Sequence, residues 1–177
     1  MPMTSDQLIA ELDALGIANR TIEHPPLRTV EDSKRLRGDM EGGHVKNLFL
    51  RDKRERFWLL VTLEDQRVNL KAIAKHLGVG RFTFANAEQL DRYLGIEPGS
   101  VSPLAAINDA ENAVTVVIDD VLLRADPVNL HPLRNDRTTA LSPRDLLRFL
   151  ESCNHPPRIL TLADFADDPA PQGTEAM

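Results

Sequence analysis

A chain of 177 residues, 42% apolar with a net charge of −6 and a single cysteine, fits a soluble globular protein with one core. No apolar run is long enough to span a bilayer, the start Met1-Pro2-Met3-Thr4-Ser5-Asp6 lacks a signal-peptide pattern, and the lone Cys153 excludes an internal disulfide framework, so a reducing cytoplasm is the expected location. The acidic balance argues against coating long stretches of nucleic acid, so neither DNA nor a membrane is an expected partner, while a local contact with an RNA end stays open.

Thr4-Ser5-Asp6-Gln7 has the spacing of a capping box, and Leu8, Ile9, Leu12 and Leu15 follow at helical period up to Gly16. Residues 19–23 lean to strand and are stopped by His24-Pro25-Pro26. Thr29 is placed to cap a second helix through Arg37, ended by Gly38. Residues 45–50 and 57–63 read as a hairpin around the charged turn 51–56. Asn69 caps a helix carrying Ile73 and Leu77 and closed by Gly78. Residues 81–84 form a short strand, and 86–94 another helix stopped by glycine.

The β-branched run 113–118 reads as a central strand, and 138–141 as a further one. Ser142-Pro143-Arg144-Asp145 is a helix start with proline at the first helical position, and Leu146, Leu147 and Leu150 give that helix its apolar face. Cys153 follows its end and reads as packing. Residues 158–162 add an edge strand, and the Pro- and Asp-rich stretch 167–177 reads as a disordered tail. Strands and helices interleave without strict βαβ alternation. The expected fold is therefore α+β: a mixed, mainly antiparallel sheet wrapped by helices, as one domain over residues 1–166.

The familiar catalytic signatures are absent: no phosphate-binding glycine loop, no G-x-S-x-G and no H-E-x-x-H. His24, His44, His76, His131 and His155 do not pair at ligand spacing, so no metal and no cofactor is expected. Asp119 and Asp120 point to opposite sides if they continue a strand, and no acid–base pair stands out. The basic clusters (Lys34, Arg35, Arg37; Arg51, Lys53, Arg54, Arg56; Lys71, Lys75) each read as solvated faces.

Three features remain. Lys46 interrupts what is otherwise a core strand, where an ammonium needs an anion or a wet cleft. Taken alone, the segment favours a tip that snorkels to solvent from the strand's start. In Gly99-Ser100-Val101-Ser102-Pro103, glycine and proline four apart can fix a turn whose backbone groups face a cavity. In Asn129-Leu130-His131-Pro132-Leu133-Arg134-Asn135, a histidine beside proline sits in a polar turn.

Together and in this order, His44-Val45-Lys46-Asn47-Leu48, the Gly99–Pro103 loop and Leu130-His131-Pro132-Leu133-Arg134-Asn135 leading to Thr138-Thr139 resemble the YbaK family of aminoacyl-tRNA deacylases. That family includes the editing domain inserted in bacterial prolyl-tRNA synthetases. The similarity runs over residues 4–162, and Asn47 after the lysine favours the free-standing branch that acts on alanyl-tRNA(Pro). The sister branch acts on cysteinyl-tRNA(Pro), and a non-catalytic module binding tRNA or a synthetase is the reading of a different class.

The resemblance implies roles for particular residues. Lys46 would hold the tRNA 3′ end near the phosphate of the terminal adenosine. Gly99, Ser100 and Val101, with Ser102 and Pro103, would set backbone groups around the scissile ester and the attacking water. His131 would line the same pocket, with Asn47 beside the substrate. Leu27 and Val30 are the candidate walls that admit alanine and exclude proline. The implied reaction needs no metal, the substrate's ribose hydroxyl assisting the water. The implied partner is the acceptor end of tRNA(Pro) carrying a mischarged amino acid, with a transient contact to prolyl-tRNA synthetase.

Overall fold

A computed structural model describes residues 1–27, 29, 31, 32, 35 and 40–166. Helix α1 (Ser5–Ala14) starts at Thr4, whose hydroxyl accepts from the Gln7 N–H while the Gln7 side chain accepts from the Thr4 N–H. Both halves of the capping box are therefore closed. Leu8 and Leu12, spaced four apart on one face, are fully buried. Truncating either to alanine removes about 2–5 kcal/mol.

The strands are β1 (Arg20–Glu23), β2 (Gly43–Asp52), β3 (Phe57–Leu63), β4 (Phe82–Phe84), β5 (Val114–Asp119), β6 (Val128–Leu130), β7 (Arg137–Leu141) and β8 (Arg158–Leu160). They form one sheet in the order β1-β7-β6-β2-β3-β5-β8, with β4 also paired to β2. Pairs β1–β7, β6–β7, β2–β3 and β2–β4 are antiparallel, whereas β2–β6, β3–β5 and β5–β8 are parallel. The mixed sheet is thus antiparallel by a small margin, and β8 lies at its edge as expected.

Helices α2 (Leu70–Leu77), α3 (Ala87–Leu94) and α4 (Pro143–Ser152) are capped by Asn69, Asn86 and Ser142, each accepting a backbone N–H from the first turn. Gly78 and Gly95 end α2 and α3 in the left-handed conformation. One face of the sheet, through Phe49, Leu59, Val61, Val116, Ile118 and Leu130, packs against α1, α3 and α4. Leu48, Leu50, Trp58, Leu60 and Val117 on the other face pack against Ile73 and Ala74 of α2. The strand alternation of apolar side chains thus supplies two cores. Cys153 packs, half-buried, at the margin of the first.

The charged turn after β2 is organised by one buried carboxylate. Asp52 accepts from the backbone N–H groups of Arg54 and Arg56, from the Arg56 guanidinium at 2.8 Å and from the Trp58 indole at 3.0 Å. Thr29 Oγ1 accepts from the Asp32 N–H at 3.0 Å, as a helix cap would. Glu31, Asp32 and Arg35 are helical, while the other residues of the expected second helix, and the expected tail 167–177, lie outside the described residues.

The feature that positions the site is a fork in the sheet. On one side β2 pairs with β3 throughout, from Val45↔Leu63 to Arg51↔Phe57. On its other side, Gly43 and His44 pair with Val128 and Asn129 of β6, and Leu50 to Asp52 pair with β4. Among the described residues no strand pairs with that edge over 45–49, where Phe49 O accepts from the Ala85 N–H. Lys46 and Asn47 sit in this fork.

Candidate active site

Lys46 is the fourth residue of its strand, not the first, and is only 3% exposed. The snorkelling reading is therefore corrected. The strand begins earlier than its apolar residues suggest, and the Lys46 side chain shares the covered face of Leu48 and Leu50. Directly across the ladder stands Thr62, whose hydroxyl donates to Asp119 Oδ2 at 2.6 Å. Asp119 Oδ1 accepts from the N–H of Leu162 at 3.2 Å and of Val121 at 3.5 Å. Lys46, Thr62 and Asp119 form a buried polar row across β2, β3 and β5. Asp119 ends its strand and Asp120 opens a 3₁₀ turn, so the two carboxylates are separated by that change of structure and not by strand alternation.

Asn47 points to the opposite face, 1% exposed, and among the described residues its Oδ1 has no hydrogen-bond partner. His44 and Asn129 are register partners on β2 and β6. Two residues further along each chain come Lys46, inside β2, and His131, just past the end of β6. His131 is 9% exposed and its Nδ1–H donates to Arg137 O at 3.1 Å. A carbonyl only accepts, so the neutral ring carries its proton on Nδ1 and Nε2 keeps the lone pair. Burial pushes the imidazole pKa below its usual value. The Arg137 carbonyl works against that shift, and His24 nearby adds to it. His24 Nε2 in turn hydrogen-bonds Thr138 Oγ1 at 2.7 Å.

The glycine–proline loop turns at Gly99, where φ is +92°, just before Ser100, whose N–H donates to Glu97 O at 3.1 Å. Val101 is buried in the first core. Ser102 Oγ accepts from the Leu104 N–H at 3.2 Å, and Pro103 opens a 3₁₀ turn, Pro103–Asn108. Those three side chains are committed to structure, which leaves their main-chain groups as what this stretch can offer a substrate. Ser100 instead lines a cavity of about 430 Å³ with Leu133, Arg134, Asn135 and Asp136. The second and third sequence motifs therefore meet at Ser100.

Leu27 is tied to the same turn. Its N–H donates to Asn135 O at 3.1 Å and its carbonyl accepts from Asn135 Nδ2 at 3.1 Å. The other candidate wall, Val30, lies outside the described residues. Lys46 thus lies on the Leu48–Leu50 face, Ser100 and Leu27 converge on the turn that follows His131, and Asn47 and Val101 serve the opposite face. Sequence reasoning missed Thr62 and Asp119, 57 residues apart, and the buried pair of His155 and Asp109, whose Nε2–Oδ2 distance is 2.8 Å. Only contact in space joins either pair. Among the described residues no three His, Cys, Asp or Glu side chains converge as a metal site, and no helix is long and apolar enough to cross a membrane.

The chain belongs to the aminoacyl-tRNA editing domain family, whose model matches residues 24–149. Among curated relatives, the prolyl-tRNA synthetase associated domain-containing protein 1 of Bos taurus is 38% identical over 154 residues, covering 84% of this chain and 90% of the relative. The prolyl-tRNA editing protein ProX of Acetoanaerobium sticklandii is 36% identical over 154 residues, covering 86% and 94%. A solved structure described as a putative trans-editing enzyme for prolyl tRNA synthetase superposes with a TM-score of 0.69 at 19% identity, over 92% of this chain and 98% of that one, and so shares the fold.

Proposed function

We propose that this protein is a trans-editing hydrolase that removes alanine mischarged on tRNA(Pro), so protecting the fidelity of translation. The observation that carries the reading is the burial of Lys46 in the sheet fork, next to the β2–β6 pairing from which the chain runs on to the buried His131. A cation kept out of water there suits an anionic ligand, and the phosphate of a terminal adenosine supplies one. Water adds its hydroxyl to the acyl carbon, the ester C–O bond breaks, and the ribose oxygen leaves with the proton as a free hydroxyl. The main chain of residues 99–103 orients the carbonyl, and His131 Nε2 accepts a hydrogen bond from the substrate.

Editing has a physical reason. A pocket built for proline rejects the smaller alanine by only about 1–3 kcal/mol, so a second site that excludes the larger ring supplies the rest. The acidic chain suits a partner gripped only at its acceptor end, with a shallow salt dependence and quick release. A transient contact with prolyl-tRNA synthetase is compatible with that grip.

The test is release of amino acid from alanyl-, cysteinyl- and prolyl-tRNA(Pro) by the purified protein with a chelator present. Loss of alanine alone is expected. Cysteine loss would move the protein to the sister specificity, and no hydrolysis would leave a binding module. Lys46→Ala should cut alanine release by about tenfold or more while the chain still folds; an unchanged rate would remove the lysine from the mechanism.

A further inference from the structure

The hairpin that carries Lys46 ends in a cationic tip. Arg51, Lys53, Arg54 and Arg56 crowd the turn between β2 and β3, in a chain whose net charge is −6. Two carboxylates share that turn, and both are engaged. Asp52 is 3% exposed and holds Arg56 at 2.8 Å, while Glu55 stands 3.7 Å from Arg51. Lys53 and Arg54 are exposed, and among the described residues neither side chain has an ion-pair partner.

A third unpaired cation comes from β4, which lies on the same edge of β2 as the fork. Asp52↔Phe82 is the last register pair of the β2–β4 ladder, so Lys53 leaves β2 where Arg81 enters β4. The Lys53 stem lies across Gly80: a Cβ on that glycine would stand 3.3 Å from Lys53 Cδ. With a φ of +81°, Gly80 also holds a backbone conformation that side chains rarely adopt. Glycine there lets the lysine lie beside the residue preceding Arg81. Arg81 is exposed and likewise has no ion-pair partner among the described residues. Cations brought together without an anion repel, and a ligand carrying negative charge relieves that repulsion. The exposed Glu111 precedes β5, on the far side of β3, and does not relieve it.

The tip is stiff as well as charged. The Asp52 carboxylate accepts the N–H groups of Arg54 and Arg56, while its main chain bonds Arg56 O and the Glu55 N–H. The cations are thus presented at little cost in ordering. No aromatic ring is exposed beside them: Phe57, Trp58 and Phe82 are all buried. Unpaired bases are held by stacking as well as by charge, whereas a paired stem offers a protein its phosphates. Cations without a stacking surface fit the paired stem. Lys53 lies seven residues along the chain from Lys46, about 23 Å. That is too far to serve the same nucleotide, and it sets the tip against RNA leading away from the reacting end.

We infer that the β2–β3 tip, through Lys53, Arg54 and Arg81, docks the phosphate backbone of the paired stem next to the reacting end of the tRNA. The inference rests on the editing function proposed above and adds a second grip to it, away from Lys46.

The test uses unacylated RNA, so that it does not depend on hydrolysis. An RNA hairpin ending in an unpaired CCA tail is compared with the trinucleotide CCA. Both are bound to the parent and to Lys53→Ala/Arg81→Ala over a salt series. The double variant should bind the hairpin about tenfold more weakly, with the salt slope reduced by about 1.5–2, and should bind CCA as the parent does. Lys53→Arg/Arg81→Lys should bind the hairpin like the parent. Equal hairpin affinity and slope in the parent and the alanine variant (no binding included), or an equal loss on CCA, would overturn the surface. So would a charge-keeping variant that loses as much as the alanine one. Loss of polyglutamate binding with hairpin binding intact would assign the tip to an acidic protein instead. Hydrolysis that persists while parent and variant bind the hairpin alike would remove the surface and keep the editing function. Hairpin binding through the tip, in a protein that hydrolyses no aminoacyl ester, would do the reverse.

Discussion

Lys46 stands directly across the β2–β3 ladder from Thr62, and the Thr62 hydroxyl is held by Asp119 at 2.6 Å. The lysine's closest cross-strand neighbour is thus already committed to a carboxylate on the third strand. Thr62 is fully buried and Asp119 is 1% exposed.

Thr62→Val keeps the volume and removes that donor. Asp119 retains the Leu162 and Val121 N–H groups but loses its shortest hydrogen bond. The expected cost is about 1–3 kcal/mol of folding stability, read as a lower urea midpoint at unchanged slope. A midpoint equal to the parent's would mean that the hydroxyl matters little to the buried row.

Leu27→Ala separates a pocket wall from simple core. Its main-chain bonds to Asn135 persist in the variant, so the turn stays docked while the side chain is lost. A fully packed leucine truncated to alanine costs about 2–5 kcal/mol in either role. Only a wall also changes selectivity. The ratio of prolyl- to alanyl-tRNA(Pro) hydrolysis should rise by about tenfold, in line with the worth of a methylene or two in an apolar pocket. Stability loss with an unchanged ratio would assign Leu27 to the core alone.

What the sequence disclosed about this architecture follows the range of the forces involved. The caps at Thr4, Asn69, Asn86 and Ser142 lie beside the residues they serve, so their helices could be read directly. The β2–β3 hairpin was legible from two apolar runs and a charged turn, although β2 begins at Gly43 and not at Val45. The sheet order was not legible, because β5 reaches β3 and β8 by parallel pairing with no hairpin to announce it. At the site, the sequence marked Lys46 as misplaced but left open whether its tip escapes to water. That depends on what covers the Leu48–Leu50 face, and the cover comes from residues such as Ile73 and Leu162 far along the chain. The polar row and the Leu27–Asn135 clasp were invisible for the same reason.

His131 carries a pH prediction. Burial holds its pKa below the ordinary imidazole value of 6.5, so the ring stays neutral through physiological pH with Nε2 able to accept. A group with a depressed folded pKa works against the fold as pH falls below its unfolded value. Hydrolysis and the His131 share of stability should therefore be level from pH 8 to about 6.5, and that share should decline below it. His131→Gln should lower alanine release and remove that acid-side share. A rate that instead falls as pH drops from 8 toward 7 would mean a working group that titrates higher than this one.

His155 and Asp109 give the opposite slope. Both side chains are buried, with Nε2 and Oδ2 2.8 Å apart, and His155 Nδ1 contacts the Cys153 carbonyl at 2.7 Å. Burial opposes the imidazolium, but the hydrogen bonds to Asp109 and Cys153 outweigh it and raise the pKa to about 10. Asp109 is also buried, yet His155 and the N–H groups of Val114 and Ala113 hold its carboxyl below the usual range. A histidine whose folded pKa is raised contributes its full stability below 6.5 and loses it as pH climbs toward 10. Chemical unfolding across pH 6–10 should show a steady fall that His155→Gln abolishes. His155→Ala should cost about 3 kcal/mol at pH 6, the low end for breaking a buried pair, because two backbone donors still serve Asp109. A variant whose stability keeps the parent's slope from pH 6 to 10 would show that the proton lost in this range leaves some other group.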